Sequence, residues 1–269
     1  MKPRITVFGA GGFIGSHMAS YGEKLGYEVF KPNWQKGVPE QHLGTVIYCN
    51  GVGDCNRPLD VMYSHVGLLA EIIKVGNFDK IVYISSTRVY MNSKETNEKS
   101  NLLVGTDDKR RLFNIAKLAG EEICLASNKD ALILRPSNVY GLALNSPLFL
   151  PSLVRDAIRN NEINLYVDKD YAKDYLLIDN LVTACFSLIE QRCSGIFNIA
   201  SGRNVTAEQI VDMIVRNTDC NVIWHGSSLN EHFYPIDIAK VSDSLSDFCP
   251  SELMNELESM IFNFKRFYG

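Results

Sequence analysis

The sequence predicts an α/β protein built on a doubly wound, parallel sheet with a smaller C-terminal α/β lobe. Short β-rich runs alternate with segments whose apolar residues recur at helical spacing, and a glycine-rich turn at residues 9–15 directly follows the first run. The alternation changes after about residue 143. We therefore expect a sheet domain at residues 1–143 and a smaller lobe at residues 144–269, interleaved with the first domain.

The first part of the chain predicts regular alternation of strands and helices. A strand, the glycine turn, a helix and a second strand fit into about thirty residues, which is the usual opening of a doubly wound sheet. About fourteen residues separate the second strand from the third, too few for a further helix and strand, so we expect a sheet shortened at this edge. The predicted strands are residues 5–8, 27–30, 45–49, 80–85 and 131–134, and the predicted helices are residues 16–25, 59–75 and 109–126.

The second part predicts shorter elements. Helical spacing covers residues 152–160, 179–191 and 207–216, and strands are predicted at residues 164–167, 195–199 and 221–224. Apolar residues at 253, 257, 260, 261 and 264 predict an amphipathic closing helix. We interpret this half as a lobe built onto the sheet.

Composition argues against several classes of function. The formal net charge of −4 offers no basic surface to nucleic acid. No apolar run approaches the roughly 20 residues of a membrane helix, and the first strand begins too early for a signal peptide. The seven scattered cysteines are typical of a reduced, cytoplasmic protein, and the five dispersed histidines predict no metal site.

The glycine turn is the first chemical motif. Its spacing is Gly9-x-x-Gly12-x-x-Gly15, with Phe13 and Ile14 between the last two glycines. Without a Cβ, glycine permits the tight turn and lets the backbone approach a pyrophosphate, while the following helix presents free N–H groups. A plain turn between strand and helix is the alternative. The position after the first strand favours a Rossmann dinucleotide-binding domain, with these five residues as cofactor contacts.

The end of the second strand bears on the choice of cofactor. A carboxylate there would bind the ribose hydroxyls of NAD, but residues 29–33 contain no acid. Lys31 could instead face a 2′-phosphate, which favours NADP over NAD. An ordinary solvated lysine is the alternative.

Five later segments resemble, in order, the motifs of the extended short-chain dehydrogenase/reductase family. The resemblance runs from residue 5 to about residue 215 and implies a Rossmann domain followed by a substrate-binding lobe. The segments are YISSTRVY at 83–90, FNIAKLAGE at 113–121, LRPSNVYG at 134–141, KDYLLID at 173–179 and FNIASG at 197–202.

The resemblance implies a catalytic group whose central member is missing. In the family a Ser/Thr hydroxyl after the fourth strand holds the reacting oxygen, a role that Thr87 or Ser86 would take; we prefer Thr87. A tyrosine four residues before Lys117 would exchange the proton, and Lys117 would bind the cofactor ribose and lower that tyrosine's pKa. This sequence has Phe113 at the tyrosine position. A Ser/Thr turn and a solvated helix lysine are the alternatives for the individual residues.

The resemblance also implies contacts for the ligands. Pro136 and Ser137 would line the nicotinamide, and Asn138 would touch the phosphates of a nucleotide-linked sugar. Arg88 and Lys173 are further substrate-binding candidates.

We therefore expect an NADP(H)-dependent reductase of a 4-keto sugar nucleotide. The 4,6-dehydratases of the family carry Asp-Glu after the catalytic threonine, whereas Arg88 and Val89 follow Thr87 here. A 4-epimerase with bound NAD and a non-catalytic dinucleotide-binding protein remain alternatives. Phe113 fits an engineered Tyr→Phe change, a natural site with another proton donor, or a degenerate binding protein. The resemblance also implies a homodimer.

Overall fold

A computed structural model describes residues 3–146, 148–226 and 231–268. The strands are β1 (Arg4–Phe8), β2 (Glu28–Phe30), β3 (Thr45–Tyr48), β4 (Lys80–Ile84), β5 (Asp130–Pro136), β6 (Asn138–Tyr140), β7 (Glu162–Leu165), β8 (Ala172–Leu177), β9 (Gly195–Ile199), β10 (Asn204–Thr206) and β11 (Asn221–Trp224). The helices are α1 (Phe13–Lys24), α2 (Pro58–Met62), α3 (Leu68–Val75), α4 (Arg111–Ala126), α5 (Phe149–Asn160), α6 (Ile178–Glu190), α7 (Ala207–Thr218), α8 (Ala239–Ser244) and α9 (Leu253–Tyr268).

The predicted doubly wound sheet is confirmed. Six parallel strands lie in the order β2-β1-β3-β4-β5-β9. The strand order reverses direction around β1 and β3, which is where such sheets bind ligands at the carboxyl ends of the strands. The predicted shortening is also confirmed, because β2 is an edge strand and residues 31–44, all of them described, contain only the 3₁₀ turn Trp34–Lys36.

Apolar side chains cover both faces of this sheet. Along β4, Val82 and Ile84 point into one core together with side chains of α1 and α6, whereas Ile81 and Tyr83 point into a second core with α3. This alternation follows from the two-residue period of a strand. A sheet buried on both faces needs the near-continuous apolar strands that the sequence contains.

The elements of the second half of the chain belong partly to the large sheet and partly to a separate apolar cluster. The helix α6 packs on α1, and β9 is the sixth strand of the large sheet, paired with β5. The helix α8 also packs on β9, and its Val241 belongs to the core of the large sheet. A separate apolar cluster is formed by α5, α7 and α9 with β7 and β11. The boundary at residues 143/144 stays a prediction, and the interleaving of this half with the sheet is evident in α6 and β9.

The sequence prediction missed the strands β6, β8 and β10 and the helix α8. The strands β10, β8 and β6 form a three-stranded sheet, with β10 antiparallel and β6 parallel to β8. Two of these strands have three residues, too few to show a two-residue period. The helix α8 has six residues, too few to show a helical period. The predicted helix 59–75 is present as α2 and α3, joined by the π-helical turn Tyr63–Gly67.

Candidate active site

The predicted motifs meet at one edge of the large sheet. The glycine turn follows β1, the 3₁₀ turn Thr87–Tyr90 follows β4, and Ser137 follows β5. Because all these strands are parallel, their carboxyl ends lie side by side. The helix α4 brings Phe113 and Lys117 to the same place.

Two glycines of the turn are required by the backbone itself. Gly9 has φ +83°, and a Cβ on it would lie 2.8 Å from the backbone nitrogen of Asn50. A Cβ on Gly15 would lie 2.1 Å from the carbonyl oxygen of Gly9, so α1 could not pack against the turn. The turn is closed by a hydrogen bond of 3.0 Å from the Gly12 N–H to the Gly9 carbonyl.

The beginning of α1 fits the diphosphate of a dinucleotide. Gly12 is the N-cap, no side chain caps the helix, and its first turn, which contains Phe13 and Ile14, has no acidic residue. The N–H groups there are therefore left for an anion. A Cβ on Gly12 would be no closer than 3.4 Å to its neighbour and one on Gly11 would meet nothing within 4 Å, so the fold leaves a cradle beside the turn.

We expect alanine at Gly12 and at Gly15 to separate binding from folding. Gly12→Ala should change the unfolding free energy by less than about 1 kcal/mol, because its Cβ makes an ordinary contact. It should nevertheless weaken dinucleotide binding, because it fills the path by which the backbone approaches the pyrophosphate. Gly15→Ala should cost about 1–3 kcal/mol through overpacking. Urea unfolding and dinucleotide titration measure the two effects, and equal loss of stability in both variants would contradict the assignment.

Lys31 is not a free cation. Its ammonium lies 2.7 Å from a carboxylate oxygen of Glu23 on α1, and both side chains are about half exposed. An exposed pair of this kind is worth about 0–1 kcal/mol, so a bound phosphate could compete for the lysine. The role of Lys31 in the choice of cofactor stays a prediction.

Ser86 and Thr87 occupy different environments in the turn after β4. The Ser86 hydroxyl accepts a hydrogen bond of 3.1 Å from the Arg88 backbone N–H and thereby caps the turn. Ser86 is partly exposed, whereas Thr87 is buried. Each hydroxyl therefore stays a candidate for holding the reacting oxygen, and Ser86 is the more accessible.

Lys117 is buried beside the position that the family gives to its tyrosine. Its ammonium donates a hydrogen bond of 2.6 Å to the Ile84 carbonyl and lies 5.3 Å from the centre of the Tyr83 ring and 5.7 Å from that of Phe113. Burial lowers the pKa of Lys117 to about 8, an effect that the nearby Glu121 carboxylate opposes. A tyrosine at position 113 would therefore lie beside a positive charge at neutral pH.

The Phe113 ring is enclosed by nitrogen-bearing side chains. The Arg110 guanidinium lies 4.7 Å from the ring centre, and the His65 imidazole meets the ring edge-on with centroids 5.5 Å apart. His65 lies in the π-helical turn and donates from Nε2 to the Val52 carbonyl at 3.1 Å. Burial, with the Lys117 charge, lowers the pKa of His65 to about 3, so the imidazole is neutral.

A buried network of polar side chains joins the elements that carry the site. Glu121 forms two hydrogen bonds with the Arg135 guanidinium, of 2.9 and 2.5 Å, and also accepts one from the Ser85 hydroxyl. Arg135 donates at 2.6 Å to the Tyr90 hydroxyl, which donates at 2.9 Å to Asn198. The network therefore connects α4, β5, β9 and the turn after β4.

The structure places the predicted nicotinamide and phosphate contacts at the end of β5 and in β6. Pro136 ends β5, and the buried Ser137 donates from its backbone N–H to the Ile199 carbonyl at 3.1 Å. Asn138 is exposed and uses its amide nitrogen to donate to the Asp174 carbonyl at 2.7 Å. These residues lie at the predicted edge of the sheet, and their ligand contacts stay predictions.

Arg88 and Lys173 belong to a charged cluster that the sequence prediction did not find. Arg88 donates to Asp108 at 2.8 Å and to Glu231 at 2.7 Å, and Glu231 also accepts from the Tyr171 hydroxyl at 3.0 Å. Glu231 is 143 residues from Arg88 in the chain, so no local pattern predicts the contact.

Three further findings concern the described residues as a whole. Within residues 3–146, 148–226 and 231–268, no group of three or more His, Cys, Asp or Glu side chains could hold a metal ion. Among the same residues, no helix combines the length and the apolar character needed to cross a bilayer. All seven cysteines are free thiols.

Comparison with known proteins identifies the family. The model of the NAD dependent epimerase/dehydratase family matches residues 5–200. A curated relative, the UDP-N-acetyl-alpha-D-glucosaminuronate decarboxylase of Bacillus cytotoxicus, is 24% identical over 275 aligned residues, which cover 86% of this chain and 84% of the relative.

Solved structures agree with the fold. MoeE5 in complex with UDP-glucose and NAD superposes with a TM-score of 0.85 at 18% identity, covering 99% of this chain and 100% of that one. TunA, described as an NAD dependent NDP-hexosamine 5,6-dehydratase, gives a TM-score of 0.84 at 21% identity, covering 99% and 98% of the two chains. The resemblance to the extended short-chain dehydrogenases/reductases is thus confirmed, and the chain belongs to the NAD dependent epimerase/dehydratase family.

Proposed function

We propose that the protein is an NADP(H)-dependent reductase that acts on a 4-keto sugar linked to a nucleotide. The observation that carries the proposal is the buried Lys117, held at the carboxyl end of β4 beside residue 113 and close to the turn of Ser86. The relatives support the substrate class, since MoeE5 was solved with UDP-glucose and the Bacillus relative is named for a UDP-sugar acid.

Each part of the site has a role in this proposal. The glycine turn and the start of α1 would bind the diphosphate of the dinucleotide, whose nicotinamide supplies hydride when bound. Ser86 or Thr87 would donate a hydrogen bond to the keto oxygen and orient it. Lys117 would bind the ribose and keep positive charge near the developing oxyanion. Phe113 fills the tyrosine position but has no proton to give.

The residue that follows Thr87 favours reduction over dehydration. Arg88, directly after Thr87, is held by Asp108 and Glu231 and has no carboxylate that could act as a base. A 4-epimerase with bound NAD is the second candidate, and the Lys31–Glu23 ion pair favours it because it neutralises the cation assigned to the 2′-phosphate. The phenylalanine at position 113 supports a non-catalytic dinucleotide-binding protein as the third.

The three candidates differ in what the purified protein does. NADPH and NADH absorbance should be followed with nucleotide-linked 4-keto sugars, using this chain and the variant Phe113→Tyr. Stoichiometric loss of NADPH supports the reductase. Tightly retained NAD together with interconversion of two sugar nucleotides would instead support the epimerase, and dinucleotide binding without affinity for any sugar nucleotide would support the binding protein.

We expect Lys31 to set the preference for NADPH. Lys31→Ala should weaken NADPH binding by about 10–100-fold, because a charge-assisted hydrogen bond contributes about 1.5–3 kcal/mol, and should leave NADH binding unchanged. Titration of both dinucleotides measures the ratio. Lys24→Ala, at the opposite end of α1 from the glycine turn, is the control. An unchanged ratio in Lys31→Ala would mean that the ion pair with Glu23 is the only role of this lysine.

A homodimer is also proposed. Apolar side chains are exposed on α2 and α4, among them Leu59 at 83% and Ile115 at 41%, and the two helices are in contact. A second copy packing there would remove these side chains from water. Sedimentation equilibrium tests the proposal, and a monomer at micromolar concentration would refute it.

A further inference from the structure

We infer that the cations beside Phe113 bind a carboxylate on the sugar itself, so that the substrate is a nucleotide-linked hexuronate. This inference rests on the proposed function and names the substrate class of the same site. Three cations carry it: Arg88, Arg110 and Lys173. Their arrangement leaves positive charge without a partner at the reacting end of the site.

The charges in this cluster do not balance. Two carboxylates, Asp108 and Glu231, accompany the three cations, and both are hydrogen-bonded to Arg88. Among the described residues, neither Arg110 nor Lys173 has a carboxylate within ion-pair distance. The cluster of three cations and two carboxylates therefore has a net charge of +1.

Aromatic rings hold the two remaining cations in place. The Arg110 guanidinium lies 4.7 Å from the centre of the Phe113 ring, and the Lys173 ammonium lies 4.7 Å from the Phe233 ring and 4.9 Å from the Tyr171 ring. A cation over a ring keeps its outer donors available to a ligand.

Burial makes a missing partner costly for Lys173, which is half-buried, whereas Arg110 is exposed. Arg88 is only 7% exposed, and its Nε is buried without a hydrogen-bond partner. Burial lowers the pKa of Lys173 to about 8; Glu231 opposes the change, whereas the charges of Arg88 and Arg110 add to it. Like charges held together at a partly desolvated site are relieved by an anion, which is the condition for binding a carboxylate.

The position of the cluster favours a carboxylate on the sugar, and not the nucleotide diphosphate, as its ligand. Arg110 lies against Phe113, whose ring lies 5.7 Å from the Lys117 ammonium, and Arg88 directly follows Ser86 and Thr87. Arg110 therefore lies beside the residue that takes the place of the family's proton donor. The diphosphate is expected further along, near Asn138, and all nucleotide sugars carry it.

The test compares matched ligands that differ only in this carboxylate. With saturating dinucleotide, binding of UDP, UDP-glucose and UDP-glucuronate should be measured by calorimetry, together with GDP, GDP-mannose and GDP-mannuronate. We expect the hexuronate of at least one pair to bind tenfold or more tightly than its neutral counterpart. The preference should decrease above pH 8, as Lys173, which faces Glu231, Arg88, Arg110 and Tyr171, loses its proton.

Variants then locate the preference. Arg110→Gln and Lys173→Gln should each reduce the hexuronate preference to threefold or less, because they weaken binding of the hexuronate more than binding of the neutral sugar nucleotide. Lys169→Gln removes a lysine that lies four residues before Lys173 in the chain and is already paired with Glu208, and it should change the binding of neither ligand. Circular dichroism and the thermal midpoint verify that each variant is folded.

Each other outcome overturns the inference in a distinguishable way. Equal affinity for the neutral and acidic sugars refutes the carboxylate site and leaves the proposed function intact. Equal weakening of all ligands, including UDP or GDP alone, assigns the cations to the diphosphate. If no sugar nucleotide binds better than its free nucleotide, the proposed function fails together with the inference.

Discussion

Replacing Phe113 by tyrosine is expected to raise turnover by about 10²–10⁴-fold, the usual contribution of a general acid. The ring position is already occupied, and the Lys117 ammonium lies 5.7 Å from its centre. A phenol there would have its pKa lowered by that charge and could donate a proton to the substrate oxygen. Binding of dinucleotide and sugar nucleotide should change little, because the hydroxyl acts mainly in the transition state.

Two controls make the measurement specific. Phe262→Tyr adds the same hydroxyl to an exposed ring of α9 and should leave the rate unchanged. Lys117→Met in the Phe113→Tyr background should remove most of the gain, since the phenol then loses its neighbouring charge. Equal and substantial rates for the unchanged chain and for the variant Phe113→Tyr would show that another group protonates the substrate.

Removing the charge of Glu121 is expected to destabilise the protein by about 3–5 kcal/mol, the cost of leaving one member of a buried ion pair uncompensated. Glu121 and Arg135 are 2% and 3% exposed, and Glu121→Gln preserves the shape while removing the charge. Urea unfolding measures the change. The pKa of Lys117 should also decrease, because the attraction of Glu121 opposes the effect of burial on that lysine.

An exposed ion pair provides the matched control. Glu208→Gln breaks the ion pair between Glu208 and Lys169, whose side chains are 52% and 61% exposed, respectively. This change should lower the unfolding free energy by no more than about 1 kcal/mol. Replacing Glu121 and Arg135 together by leucine should cost less than the sum of the single replacements, because no charge is left unpaired. A loss below about 1 kcal/mol for Glu121→Gln would mean that water or Ser85 compensates Arg135.

The network around Arg135 also explains how folding positions the chemistry. The same guanidinium binds Glu121 on α4 and the Tyr90 hydroxyl at the end of the turn that begins with Thr87. The helix that carries Lys117 and the turn that carries the candidate hydroxyls are thereby held to one strand. Loss of this network should reduce activity even in molecules that remain folded.

Several features of the molecule were determined by the sequence alone. The strand, glycine turn and helix at the beginning of the chain follow from properties of adjacent residues: the freedom of glycine at position 9 and the periodicity of apolar side chains. The short connection after β2 follows from a count of residues. Position 113 lacks an exchangeable proton because phenylalanine has no hydroxyl group, whatever fold surrounds it.

Only the tertiary structure decided which charges meet. The ion pair of Lys31 with Glu23, the contact of Phe113 with His65, and the contact of Arg88 with Glu231 join residues from different elements. Hydrogen bonds and ion pairs depend on distances of a few ångströms, whereas sequence patterns report which face of an element is apolar. The order of residues therefore determines the fold and the missing hydroxyl, and packing determines the electrostatic environment of the site.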